Sequence, residues 1–301
     1  EAGTAITTGD ENTFVGYAVG DAVTTASANT GVGYNALTAN TSGTQNTAVG
    51  NRAGDAITEG DGNTAIGYFS LSTTTTADNN TAVGVDSLGL NSTGADNTGI
   101  GKDALRANTT ASNNTAVGSN AMVANTTGEY NVAVGATAGD ALTTGSVNTA
   151  VGYNTLGVAT TAANNTALGG QALAVTTSGS GNTAVGMNCM VANTTGTNNT
   201  AVGMTAGDAI TTGDFNVFIG KSSGGATTTA DSNVSVGESS FLVNTTGASN
   251  TALGANSLGS NTTADDNTAV GKLALYANTT AARNTAVGKS ALDSITTGGN
   301  N

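Results

Sequence analysis

One short stretch, Asn46-Thr47-Ala48-Val49-Gly50, recurs every seventeen residues from Asn12 to Asn301 without a single insertion. We number the positions of each repeat 1 to 17 from this asparagine. Position 5 is glycine in every repeat that contains it, and position 4 is always valine, isoleucine or leucine. A fixed period of short units indicates a stacked repeat architecture. This period therefore constrains the fold more than any other feature of the chain.

The residue types within a repeat argue against a helical unit. Threonine, asparagine and glycine fill most positions and are poor helix formers. Two or three short strands joined by glycine and asparagine corners fit the length of one repeat. The sequence thus predicts an all-β fold, a parallel β-solenoid with one 17-residue repeat per turn and about 17 turns, here called rungs. With no break in the register, residues 1–301 are expected to form a single continuous array.

Side-chain alternation along a strand predicts which positions form the core. If position 4 faces inward, position 2 does so too, and positions 1, 3 and 5 face outward. The small residues of position 3, such as Ala48, would then form an outer stripe on which another chain packs. The expected core row and corner row are represented by Val49, Ile66 and Val83, and by Gly50, Gly67 and Gly84.

The asparagines of position 1, including Asn46, Asn63 and Asn80, are expected to stack about 4.8 Å apart and to bond along a ladder. Asparagine also tolerates the left-handed backbone of a corner, so a structural role is favoured over ligand binding. In most repeats only one of positions 9 and 12 carries a large apolar side chain. Leu37 at position 9 is accompanied by Asn40 at position 12, whereas Gly54 is accompanied by Ile57. Such an exchange predicts that both positions fill one interior volume. Cys189 lies at position 8, where a small core residue is expected.

Composition narrows the function classes. The chain has 7 basic and 20 acidic residues, a net charge of -13 and no histidine. Because nucleic-acid binding needs a basic footprint, nucleic acid is not an expected partner. No apolar run is long enough to cross a membrane, so this segment is not expected to insert into one. No nucleophile and base pair, phosphate loop or cofactor motif occurs, so neither an enzyme nor a cofactor is expected.

Two sets of side chains are candidate ligand sites. Position 16 places Asp61 beside Asp78 and Asp214 beside Asp231 on adjacent rungs, an oxygen pair that a hard cation could use. Solvated turn aspartates are the commoner alternative. Threonine is nearly constant at positions 13 and 14, and a flat threonine array on a solenoid could bind ice. Threonine is also a good strand and corner residue in its own right.

Glycans provide a third possibility. Acceptor sequons for N-linked glycans begin at Asn40, Asn91, Asn108, Asn125, Asn193, Asn244, Asn261 and Asn278. At position 6, Tyr17, Tyr34, Tyr68 and Tyr153 could form a sugar-stacking stripe, although scattered surface aromatics explain them equally.

The recurring Asn-Thr-Ala-Val-Gly and its Ala-Ile-Gly variants resemble the head repeats of YadA-like trimeric autotransporter adhesins. They are also similar to repeat arrays of phage tail fibres, and the resemblance runs through Thr47–Gly50, Thr64–Gly67 and Thr183–Gly186 along the whole chain. It implies a left-handed β-roll, three associated chains, and a place outside the cell on a cell surface or a virion fibre. The repeat is longer than in the adhesin heads.

Together these inferences predict a structural extracellular fibre, or an adhesin shaft or head, that self-associates into a rigid rod or filament. The expected partner is a second copy, as a homo-trimer and in an end-to-end filament, with a cell-surface or glycan receptor as a further partner. A binding module for ice or surface glycans is the alternative. Since the chain starts and stops within a repeat, we expect it to be an uncapped slice of a longer protein, or one whose ends meet those of other copies in a filament.

Overall fold

The computed structural model describes all 301 residues, and its regular secondary structure consists only of β-strands. It comprises two compact units, residues 1–148 and residues 149–301. The first unit contains β1 (Thr13–Tyr17), β2 (Thr30–Tyr34), β3 (Thr47–Val49), β4 (Thr64–Ile66), β5 (Thr81–Val83), β6 (Thr98–Ile100), β7 (Thr115–Val117) and β8 (Val132–Val134). The second contains β9 (Thr149–Val151), β10 (Thr166–Leu168), β11 (Thr183–Val185), β12 (Thr200–Val202), β13 (Val217–Ile219), β14 (Val234–Val236), β15 (Thr251–Leu253), β16 (Thr268–Val270) and β17 (Thr285–Val287).

Each unit is a parallel β-solenoid, as the period predicts. Within a unit, successive strands pair in parallel with a register shift of one repeat, so that Thr166 faces Thr183 and Leu168 faces Val185. The remaining backbone also bonds from rung to rung, for example from Thr194 N–H to Thr211 O over 2.8 Å. The expectation of two or three strands per rung is wrong, because each rung has one strand and closes through turns.

The predicted direction of the strand side chains is also wrong. Position 3 is buried, as in Ala48 at 0%, whereas position 4 points outward, with Val49 36% and Ile66 40% exposed and Val83 half-buried. The interior is narrow, because the turn opposite the strand fills it with position 9 side chains. An ideal Cβ on Gly54 would lie 3.3 Å from Leu37 Cδ2 and 3.7 Å from Ala48 Cβ. Only a small residue fits at position 3 there, so the branched residue of position 4 faces outward.

The shared interior volume of positions 9 and 12 is confirmed. Leu37 is fully buried where position 12 is Asn40, and Ile57 is buried above Gly54. Gly224 with Thr227 departs from this exchange, and the structure explains the departure. Phe218 occupies position 3 of that rung, and its ring lies where a side chain on Gly224 would be, 2.5 Å from the ideal Cβ.

Glycine at position 5 turns the chain at the end of each strand. Gly186 has φ +137°, and an ideal Cβ there would lie 2.5 Å from the carbonyl oxygen of Gly203 on the next rung. Both the backbone conformation and the rung-to-rung contact exclude a side chain. The expected corner role of Gly50, Gly67 and Gly84 follows the same geometry, with φ between +135° and +144°.

Candidate interaction surface

The outward side chains of positions 2 and 4 form one surface on each unit, which we call the strand face. Position 4 supplies a row of aliphatic side chains that stay partly exposed, with Leu168 at 46% and Ile219 at 38%. Strands in a sheet lie about 4.8 Å apart, so this row repeats with that spacing. A row of exposed aliphatic side chains on successive strands is the kind of patch that marks an interaction site.

Position 2 contributes a parallel row of polar but uncharged side chains. It is threonine in every strand except β8, β13 and β14, where valine replaces it. These threonines are partly exposed, and their hydroxyls make no hydrogen bond within the chain, as at Thr183 and Thr200. No strand contains a charged residue. The strand face is therefore regular and uncharged.

The asparagine ladder of position 1 exists, but it lies inside the solenoid and not on its surface. Asn63 N–H donates to Asn46 Oδ1 over 2.9 Å, and Asn63 Nδ2 donates to Asn46 Oδ1 and to Ala77 O over 3.2 and 2.8 Å. Asn46, Asn63 and Asn80 are at most 1% exposed. Their inward direction follows from that of position 3, which is buried on the same side of the strand.

The aspartates of position 16 complete backbone hydrogen bonding between rungs. Asp61 Oδ1 accepts from the Thr44 N–H and hydroxyl over 2.6 and 2.9 Å, and Asp78 Oδ1 accepts from the Asp61 N–H over 2.8 Å. Asp214 and Asp231 repeat this arrangement in the second unit. No group of three or more acidic or cysteine side chains converges anywhere in the chain.

Sequence reasoning missed this role of position 16. Serine supplies the same acceptor in other rungs, as when the Ala95 N–H donates to Ser112 Oγ over 3.0 Å. The signal was present, because aspartate or serine occupies this position in about half of the repeats.

The sequon asparagines are not available to a glycan in the folded chain, so the structure contradicts that expectation. All eight are 0% exposed. Asn40 is typical, since its Nδ2 donates to Gly43 O over 3.0 Å and its Oδ1 accepts from the Gly43 N–H over 2.9 Å. The same side-chain bond to position 15 recurs at Asn91, Asn108, Asn125, Asn193, Asn244, Asn261 and Asn278.

The threonine rows of positions 13 and 14 differ. The position 13 hydroxyls donate to the carbonyl of the next rung, as from Thr194 to Thr211 O over 2.9 Å. Position 14 is exposed, as in Thr195 and Thr212. Of the position 6 tyrosines, Tyr17 and Tyr34 stack on each other with ring centres 5.2 Å apart. Tyr68 meets Phe69 edge-on instead, so no continuous aromatic stripe forms.

Cys189 is a buried core residue, as expected. Its Sγ lies 3.2 Å from Ala201 O, and burial raises the pKa of the thiol to about 12. Burial likewise raises the pKa of the carboxyl groups of Asp140 and Asp208 at position 10, against backbone hydrogen bonds that lower it.

Comparison with known proteins returns no relative. The chain matches no family model, no curated protein and no solved structure. The structure has no surface pocket, and none of its segments is a helix that could span a bilayer. The strand face is thus the most distinctive surface of the chain.

Proposed function

We propose that the chain is a structural segment of an extracellular fibre or adhesin that self-associates through its strand face. The observation that carries this proposal is the row of valine, isoleucine and leucine at position 4, which is half-buried or exposed in every strand of both units. A surface that only met water would have no reason to keep an aliphatic side chain at this position. The resemblance of the Asn-Thr-Ala-Val-Gly motif to adhesin-head and tail-fibre repeats supports the extracellular setting and a trimeric assembly.

The apolar row is large enough to matter energetically. Covering one half-exposed aliphatic side chain contributes about 1 kcal/mol. The second unit has nine strands and therefore nine such side chains. The summed gain, about 9 kcal/mol, is comparable to the roughly 4 to 15 kcal/mol that association costs in lost motional freedom. Stable association therefore depends on many rungs acting together, which gives the length of the array a function.

The test is the sedimentation of the full chain and of a variant with the strand face charged. We expect the wild type to sediment as an oligomer, and L168K/V202K/I219K to sediment as a monomer with an unchanged β-sheet circular dichroism spectrum. A matched control places lysine at exposed position 14 of the same rungs, S178K/T212K/T229K, and should remain oligomeric. A folded wild-type chain that stays monomeric at high concentration would reject the proposal.

A second candidate function is ice binding, now on a different surface from the one predicted. The position 2 hydroxyls are free and repeat with the strand spacing, whereas those of position 13 are used between rungs. Thermal hysteresis of the wild type that T183K/T200K abolishes would favour this function over self-association.

A further inference from the structure

Two oppositely charged margins flank the strand face of the second unit. The acid margin, at positions 16 and 17 just before the strands, carries Asp214, Asp231, Asp265 and Asp266, with Arg283 as its one base. The lysine margin, at position 6 just after the strands, carries Lys221, Lys272 and Lys289, with Glu238 as its one acid. On the rungs of β13 and β16, opposite charges thus stand on the two sides of one strand.

These charges are not satisfied within the chain. The structure has three ion pairs, all in the first unit, and they involve Arg52, Lys102 and Arg106. Lys221 and Lys272 are exposed. Asp214 and Asp265 each use Oδ1 to accept a backbone N–H. Their other carboxylate oxygen makes no hydrogen bond or ion pair within the chain. The two margins therefore present unpaired and complementary charges on either side of an apolar face.

We propose that these margins orient the self-association, so that the acid margin of one copy lies against the lysine margin of the next. The inference rests on the proposed self-association through the strand face and adds its direction. When copies are related by rotation about an axis parallel to the stack of rungs, the acid margin of each copy lies beside the lysine margin of its neighbour. This holds for a dimer, a trimer or a larger ring. An antiparallel pair brings acid against acid and lysine against lysine. The margins thus favour parallel copies with rungs at the same level and act against the antiparallel alternative.

Exposed ion pairs add little binding strength, so the margins set orientation and the aliphatic row supplies most of the affinity. Reversing the lysine margin should therefore weaken association without abolishing folding. For K221E/K272E we expect the dissociation constant to rise about tenfold or more at low salt. The difference should shrink at high salt, where exposed charges are screened.

A matched control adds the same negative charge away from the margins. T161E/T195E/T229E/T263E changes the net charge by the same amount at exposed position 14, and it should associate nearly as tightly as the wild type. A rescue variant adds F215K and D266K to K221E/K272E, which cancels the negative charge of the acid margin on the two altered rungs. This removes its repulsion with the new glutamates and should recover part of the lost affinity. An equal loss in the control, or no rescue, would overturn the proposal.

Cross-linking of full-length chains separately measures whether the associated copies are parallel or antiparallel. L168C and L253C lie at position 4, five rungs apart in the second unit. In parallel copies at the same level, each variant alone should form a dimer with a short bis-maleimide, while buried Cys189 stays unmodified. An antiparallel arrangement allows at most one of the two to link to itself, and that result would overturn the orientation but leave self-association intact. A wild type that sediments as a monomer would instead reject the proposed function.

Discussion

The buried asparagines at position 1 link successive rungs, because each bonds to the preceding asparagine through its backbone N–H and to the following one through its side chain. The Asn114 N–H donates to Asn97 Oδ1 over 3.0 Å, and Asn114 Nδ2 donates to Gly128 O over 2.8 Å. Its Oδ1 accepts from the Asn131 N–H and Nδ2 over 2.9 and 3.2 Å. No aliphatic side chain of similar size could satisfy these groups, which explains why the residue type never changes at this position.

Replacing this asparagine should be costly. Asn114→Ala leaves a buried carbonyl and a buried N–H without partners, and we expect a loss of about 2 to 4 kcal/mol in unfolding free energy. The neighbouring Asn113 is exposed and makes only a backbone hydrogen bond, so Asn113→Ala is the control. Because alanine disfavours the φ of 62° at this residue, the control should cost about 1 kcal/mol, less than Asn114→Ala. Thermal unfolding followed by circular dichroism measures both. Equal midpoints for the two variants would contradict the role assigned to the ladder.

Asp208 gives a prediction about pH. Burial raises the pKa of its carboxyl group above 3.8, so the folded chain holds this proton more tightly than the unfolded chain does. Its ionisation therefore lowers stability as pH rises past that value. Asp208→Asn should raise the thermal midpoint at pH 7 and have no such benefit near pH 3. Exposed Asp266→Asn controls for the change in net charge, and the same gain in both variants would point to general repulsion.

At the scale of the element, the three-residue strand and its facing turn share one volume. Phe218 replaces the usual alanine of position 3, and Gly207 and Gly224 make room for it on two successive rungs. A standard rung places Ala252 at position 3 and Leu258 at position 9, the latter with φ 46°. The φ of Gly224, +64°, lies in the same left-handed region, so the backbone of that rung can accept leucine.

A double-mutant cycle tests this exchange. Phe218→Ala should cost about 3 to 5 kcal/mol by leaving a cavity, and Gly224→Leu should also destabilise because it clashes with the ring. The double variant restores the standard pairing and should be more stable than either single variant. Urea titration of the four proteins provides the measurement, and additive losses would show that the two positions do not share a volume.

The element scale also shows where sequence reasoning fails. The strand position was predictable from the period, but its inward side was assigned wrongly. Hydrophobicity predicts that the valine of position 4 is core, and size predicts that the alanine of position 3 lies at the surface, but the structure shows the reverse. The width of the interior determines which strand side chains can point inward. That width depends on leucines such as Leu105, which adopts φ 51° in the facing turn. Leucine rarely adopts this left-handed conformation, so intrinsic preference could not have indicated it.

At the scale of the whole molecule, the parallel solenoid and its one-repeat register were predictable, since an unbroken period admits few other folds. The candidate interaction surface was not predictable, because it depends on whether the side chain of position 4 points inward or outward. The stripe expected to contact a partner is core, and the row expected to be core is exposed, as Ala201 and Val202 show. Self-association remains a proposal. The surface proposed for it now consists of the aliphatic side chains of position 4, which are more apolar than the alanines of position 3.

The constant register between rungs has a genetic consequence. Within either unit, the backbone hydrogen bonds of one rung reach the same positions of the next, so an internal rung can be removed or duplicated without changing which backbone atoms meet. Unequal recombination in the gene, in steps of one repeat, would therefore yield foldable proteins of different lengths. The length of such a chain is free to vary under selection, while a deletion of any other size disrupts every contact at the join.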